Sequence, residues 1–190
     1  MRMFAALTPT DDAVEDLAMF LEPRHLVGDD VRWTDSDQWH VTLAFMAAVP
    51  DRAVEAVAEA VAEVATGHPG IDAQLTGAGT FPHPASARVL WIGVEGDLGA
   101  LARRVRGACN HAGGAPQGGP FHPHVTVGRF RRPVEATRWV RVLDGYAGPA
   151  WTAREVTLVA SHLGEGRGRR PRHEVLAHIP LDARPATTKG

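Results

Sequence analysis

The sequence predicts an α+β or mixed α/β domain built as two similar lobes that face one cleft. Three observations carry this. Short alternating stretches interleave with amphipathic ones along the whole chain. Segments 39–45 and 121–130 restate each other, since both contain His-Val-Thr followed by an aliphatic residue. The two copies lie 84 positions apart (124 − 40), each near the middle of its half. With 190 residues and 44% apolar content, the chain is long enough for a proper core, and it is read as one bilobal domain over 1–182 with a disordered tail at 183–190.

In chain order, Arg2 to Leu7 reads as a strand. Thr10 then opens a helix in which Asp11 and Asp12 suit the helix dipole and Val14, Leu17, Ala18 and Leu21 form an apolar stripe, up to Pro23. Val31 to Thr34 is a short strand, and Asp35-Ser36-Asp37 turns into the strand of His40. Asp51 precedes the clearest helix, with Val54, Val57, Val61 and Val64 at helical spacing and Glu55, Glu59 and Glu63 on the outer face; Gly67 and Pro69 end it. Ile71 to Ala78 is a strand, Gly79 to Ser86 a loop, and Arg88 to Val94 a strand. Asp97 starts a helix with the stripe Leu98, Leu101, Ala102, Val105 and Ala108, on whose apolar side Cys109 is a buried structural thiol. The loop Gly113 to Pro120 lacks the Lys-Ser/Thr ending of a nucleotide-binding P-loop. After the His124 strand, Val134 to Leu143 is helical, Trp151 to Leu163 holds a strand with Val156, Leu158 and Ala160 in alternation, Gly164 to Arg172 is a basic turn, and His173 to Leu181 is the last strand.

Strand alternation sends His40, Thr42 and Ala44 to one face and Val41, Leu43 and Phe45 to the other. In the second copy His122, His124 and Thr126 share a face opposite Val125 and Val127. A histidine and a hydroxyl two residues apart on a strand stand about 6 to 7 Å apart at the backbone, close enough to address one small anionic group together. Two imidazoles, with ordinary pKa values near 6.5, can supply an acid and a base at once. Two threonine hydroxyls and an arginine suit the non-bridging oxygens of a phosphate. That set describes phosphoryl transfer without metal or other cofactor. His122 stands between shaping the site and a surface role.

Other chemistries have weaker signals. His122-Pro123-His124 offers two metal ligands, but no acid or third histidine stands at a metal-ligand spacing. There is no Gly-x-Ser-x-Gly, and Ser161-His162 alone is slight evidence for a nucleophile. Net charge is −2, which gives no global attraction to nucleic acid, yet arginines cluster at 103–106, 129–132 and 167–172. The second cluster directly follows the His124 strand and favours an anionic ligand there. The opening residues form neither a signal peptide nor a membrane span, and one cysteine fits a reducing compartment, so a cytoplasmic location with no membrane contact is expected.

His40-Val41-Thr42-Leu43 and the stretch from Phe121 to Arg129 resemble the paired His-x-Thr-x motifs of the two-histidine (2H) phosphoesterases, most closely the RNA 2′,3′-cyclic phosphodiesterases, also called the 2′-5′ RNA ligase family. The similarity extends to Arg2–Leu7, to Gly79-Thr80-Phe81 before Arg88–Val94, and to Ser161-His162-Leu163, and so covers residues 2 to about 181. The resemblance implies a bilobal fold with antiparallel sheets lining a central cleft and helices outside. It implies metal-independent hydrolysis of a 2′,3′-cyclic phosphate, on RNA ends or nucleotides, to a 2′-phosphate. His40 would be the proton donor and His124 the proton acceptor, with Thr42 and Thr126 on the phosphate. Arg129 matches the arginine ending the family's second motif, but alternation sets it opposite Thr126 unless Gly128 bends the strand. The chain departs from the family at Ala44, usually basic, at Met46-Ala47, usually Leu-Gly, and at His173, commonly tyrosine.

Two other readings stand beside this one. The same site can act on another small cyclic phosphate, or the cleft can belong to a nucleotide- or RNA-binding module without turnover. Because one chain supplies both His-x-Thr strands, a monomer is expected.

Overall fold

The computed structural model describes residues 1–27, 30–166 and 171–181. The tail at 183–190 and residues 167–170 of the basic turn at 164–172 lie outside the described residues. Among the described residues are nine strands and four α-helices: β1 (Met3–Leu7), α1 (Asp11–Leu21), β2 (Val31–Trp33), β3 (Val41–Met46), α2 (Val54–Ala65), β4 (Ile71–Phe81), β5 (Ala87–Gly96), α3 (Leu98–His111), β6 (His124–Val134), α4 (Thr137–Leu143), β7 (Ala147–Ala153), β8 (Glu155–His162) and β9 (Arg172–Pro180). No helix among them is long and apolar enough to cross a membrane.

The expected α+β architecture is present. The strands run in the order β7-β4-β5-β6-β3-β1-β8-β9, every pairing antiparallel, with β2 added on β6. The sheet is really two half-sheets, β7-β4-β5-β6 and β3-β1-β8-β9. They meet through one residue pair between β3 and β6, Val41 opposite Val125. Both valines are fully buried, and each stands between the histidine and threonine of its own motif.

The two lobes are not the two halves of the sequence. β1 and β3 pair in one half-sheet with β8 and β9 from the far end of the chain, while β4 to β7 make the other. Helices α2 and α3 pack on the first, and α1 and α4 on the second. Thus α1 follows β1 but crosses to β7, and α3 follows β5 but crosses to β3. The α1 crossing is fixed at its end: Phe20 packs on Tyr146, and the Tyr146 hydroxyl donates to Asp16 at 2.7 Å. Burial and that carboxylate push the phenol pKa up.

The helices sit on the face opposite the cleft because each has one apolar stripe to bury. Leu17 and Leu21 of α1, Val57 and Val61 of α2, and Leu101, Val105 and Cys109 of α3 join Met3, Leu7, Leu43 and Val127 in one continuous core. Burial pushes the Cys109 thiol up to about 11, which fits an inert structural residue. A separate, smaller apolar group joins Phe4, Ala6 and Val159 with Phe45, and its Phe4 and Phe45 line the cavity described below.

Several boundaries differ from the sequence reading. β4 runs on to Phe81, through residues assigned to a loop, because Gly79, Thr80 and Phe81 continue the ladder against Trp91, Leu90 and Val89. β6 likewise runs to Val134, so α4 starts only at Thr137. β7 was not anticipated. Its Gly-Pro-containing sequence looks like a turn, but it is an edge strand paired only to β4, where proline and glycine are tolerated.

Candidate active site

Both His-x-Thr strands carry the same irregularity. On β3, Ala5 of β1 faces Ala44 and Ala6 faces Thr42, leaving Leu43 as an extra residue. On β6, Trp91 of β5 faces Thr126 and Leu90 faces Gly128, leaving Val127 extra. Each is a β-bulge one residue after the threonine, and a bulge reverses the alternation beyond it. Leu43 and Ala44 both face the core, so Phe45 turns to the cleft. Val127 and Gly128 are both buried, so Arg129 turns to the cleft beside Thr126. The simple alternation expected for Ala44, Phe45 and Arg129 is therefore corrected. The result is one spacing in both lobes: His40, Thr42 and Phe45 in one, His124, Thr126 and Arg129 in the other.

The bulged carbonyls find partners, as buried carbonyls must. The Leu43 carbonyl accepts from Arg106 Nε at 2.9 Å, and the same guanidinium donates to the Gly119 carbonyl at 3.0 Å. The Val127 carbonyl accepts from the Thr34 amide at 2.9 Å. Arg106, which in the sequence is one member of a basic run, is thus a support for the β3 bulge. Gly128 is small because a Cβ there would come within 2.5 Å of Val31 on β2.

The cleft holds a cavity of about 240 Å³ whose wall includes His40, Thr42, His124, Thr126 and Arg129. All five residues proposed from sequence are together. The two imidazoles are held alike. His40 Nδ1 donates to the Gln38 carbonyl at 2.7 Å, and His124 Nδ1 donates to the His122 carbonyl at 2.6 Å. A carbonyl can only accept, so each Nδ1 carries hydrogen and each Nε2 is left for the cavity. His122 thereby contributes its backbone, while its ring packs near Phe81 and Trp91.

Each imidazole is also braced by aromatic rings. Phe4 stacks on His40 with centroids 4.5 Å apart, and His173 meets His40 edge-on at 5.6 Å. Phe81 stands edge-on to His124 at 4.8 Å, with Trp91 at 6.0 Å. Burial among these groups holds the His40 pKa down to about 4, reinforced by His173, His124 and Arg129 and opposed by the Gln38 contact. Burial also lowers His124, with His122 and Arg129 adding to the effect. Both shifts favour the neutral imidazole.

The cavity wall carries residues that sequence reading did not assign, notably Arg2, Phe4, Arg32, Phe45 and His173. The Arg2 guanidinium lies over the Phe45 ring at 4.3 Å. Arg32 is the direct cross-strand partner of Arg129 in the β2–β6 ladder. Burial, then Arg32 and Arg2, lower the Arg129 pKa. Like charges set directly opposite one another repel.

Trp91 reaches its place because its cross-strand neighbour is Gly79, where a Cβ would stand only 2.2 Å from the Trp91 ring. Gly79→Ala is expected to cost about 1–3 kcal/mol of stability through overpacking, and to lower turnover by loosening the ring beside His124. Thermal unfolding and steady-state rates of the variant check this; unchanged values in both would sink it.

The family model described as the 2′-5′ RNA ligase superfamily matches residues 6–165. The chain belongs to this superfamily. An RNA 2′,3′-cyclic phosphodiesterase of Archaeoglobus fulgidus is 34% identical over 134 residues, covering 70% of this chain and 74% of that protein. One of Geobacillus stearothermophilus is 31% identical over 153 residues, covering 78% of this chain; the chain spans about half, 47%, of that relative's length. Among solved structures, Escherichia coli LigT complexed with 3′-AMP superposes with a TM-score of 0.76 at 25% identity, covering 95% of this chain and 97% of LigT.

Proposed function

We propose that this chain is an RNA 2′,3′-cyclic phosphodiesterase, hydrolysing the cyclic phosphate of an RNA end or nucleotide to a 2′-phosphate without a metal ion. One observation carries the reading: two imidazoles with matching Nδ1–carbonyl contacts present their Nε2 atoms to a single cavity that also holds two threonines and an arginine. Relatives that carry the phosphodiesterase name support it, as does the similar structure of LigT complexed with 3′-AMP.

In this mechanism Thr42, Thr126 and Arg129 hold the non-bridging oxygens, and the guanidinium supplies the charge stabilisation that a metal would otherwise give. Water attacks phosphorus as His124 Nε2 takes one of its protons. The bond from phosphorus to O3′ breaks, and His40, protonated on both nitrogens, delivers its Nε2 proton to that oxygen. The 2′ ester bond survives, so the product is a 2′-phosphate. His40 must first become charged, and the bound anionic phosphate raises its pKa by favouring the imidazolium. Afterwards the His124 proton returns to His40 through solvent, restoring both groups. Both imidazoles come from one chain, and the active unit in this reading is a monomer.

The test is incubation with the four nucleoside 2′,3′-cyclic phosphates in excess chelator, with product regiochemistry read by chromatography. Chelator-resistant formation of the 2′-phosphate is expected. Binding without turnover would favour a nucleotide-binding module, and neither binding nor turnover would assign the cleft to a different phosphate ester.

A further inference from the structure

The cavity with the two histidines adjoins a second one. This neighbour, of about 560 Å³, shares Arg32, Trp33 and Thr34 with the first and adds His25, Asp35 and Arg131 among its lining residues. It is as large as cavities that take nucleotide-sized ligands. None of its added residues takes part in the mechanism above.

Its charged side chains are Arg131 on β6, Arg32 on β2 and Asp35 just after β2, so cations outnumber the one carboxylate. Arg129 and Arg131 alternate with buried Phe130, so both project from the same face, about 6 to 7 Å apart at the backbone. Arg129 lines the first cavity and Arg131 the second. Arg32, opposite Arg129 in the ladder, lines both. Among the described residues, neither Arg129 nor Arg131 makes an ion pair with a carboxylate. A terminal cyclic phosphate carries one negative charge, whereas the first cavity alone already has Arg2, Arg32 and Arg129 in its wall. The row of guanidiniums that continues into the second cavity is matched by a chain of phosphates, not by a single one.

The second cavity also offers a surface for a base. Trp33 is partly exposed, and His25 packs against it with centroids 4.6 Å apart. Both rings line the cavity. Trp139 meets the Trp33 ring edge-on at 5.5 Å, and aromatic rings held beside arginines in this way are what unpaired bases stack on, with no need for a particular base.

We propose that the second cavity is the subsite for the nucleotide preceding the cyclic-phosphate residue in an RNA chain. Arg131 and Arg32 contact its linking phosphodiester, and Trp33 with His25 receives its base. The proposal rests on the phosphodiesterase reading and narrows it: the preferred substrate is an oligonucleotide end of two or more residues, and free cyclic nucleotides fill only half of the groove.

The experiment compares kcat/KM for adenosine 2′,3′-cyclic phosphate, for di- and trinucleotides ending in that residue, and for the dinucleotide with a neutral methylphosphonate linkage. The dinucleotide is expected to exceed the mononucleotide by about tenfold or more, with most of the gain lost in the methylphosphonate, as for one charge-assisted contact. A third residue should add little. Arg131→Ala should shrink the dinucleotide-to-mononucleotide ratio to near one, and Arg131→Lys should restore part of it. Equal rates for mono- and dinucleotide, or a ratio that Arg131→Ala leaves intact, would overturn the subsite while leaving the phosphodiesterase reading standing. No hydrolysis of any of the four substrates would remove that reading, and the subsite with it.

Discussion

Alanine at His124 or at His40 is expected to lower kcat on a 2′,3′-cyclic nucleotide by about 10²–10⁴-fold each, the usual worth of a positioned general acid or base. The double variant should lose little more than either single one, because in the proposed mechanism the two groups act in one concerted step. Binding should survive, since Thr42, Thr126 and Arg129 reach the cavity from other positions on the same strands. Thermal shift with the product 2′-phosphate measures that retained binding in the same preparations. The acid/base pair would be refuted by a single variant that keeps more than about a tenth of wild-type kcat, since proton transfer would then be worth under tenfold. Replacing His122 should act differently. Only its carbonyl holds His124, and every residue has a carbonyl.

The second large effect is on pH. His40 has a pKa of about 4 in the folded chain against an ordinary 6.5, so folding favours its neutral form. Between those values the unfolded chain binds a proton that the folded chain refuses. The stabilisation is therefore complete above pH 6.5 and is lost as pH falls through 4, by about 3 kcal/mol from this group alone. Denaturant unfolding at pH 7, 5 and 4 should show the decline, and His40→Gln should flatten it. If the variant and wild type fall in parallel, the burial of His40 is not its source. Turnover follows the same groups. In the proposed mechanism the active form carries one proton on the histidine pair, and both pKa values lie below the ordinary one. Plots of kcat/KM should peak below pH 6.5 and fall about tenfold per unit on the alkaline side, while kcat, which reports the anion-loaded site, should hold to higher pH.

Much of this site was legible in the sequence, for reasons that particular residues make plain. His40, Thr42, His124 and Thr126 sit before any bulge, where plain alternation holds, and two matching motifs identify each other. Phe45 and Arg129 sit just beyond a bulge, where alternation gives the wrong face. Gly128 was the one local sign that β6 bends there, and β3 has no comparable residue, only Leu43 and Ala44. Arg2, Phe4, Arg32 and His173 reach the cavity through strand pairings distant in sequence, such as Ser161 opposite His173, which local pattern does not encode. The same applies to the crossing of α1 and α3. A stripe such as Leu17 and Leu21 says that a helix buries a face, but not which half-sheet receives it. The edge strand β7 was hidden by its Gly-Pro composition, since its pairing to β4 decides the matter.

That crossing has a consequence for synthesis. A ribosome that has made residues up to His111 has produced β1, β3 and three helices, yet β1 still lacks β8, and α1 still lacks the β7 strand it covers. Each lobe holds a piece of the other in trust until the last strands emerge. Neither motif can gain its cavity early, and the nascent chain keeps apolar stripes uncovered until β8 and β9 pair, so late, non-local pairing is the expected slow step of folding. An enzyme cut between its two His-x-Thr motifs would yield fragments that each lack half of both lobes, and such fragments would regain activity only by folding together.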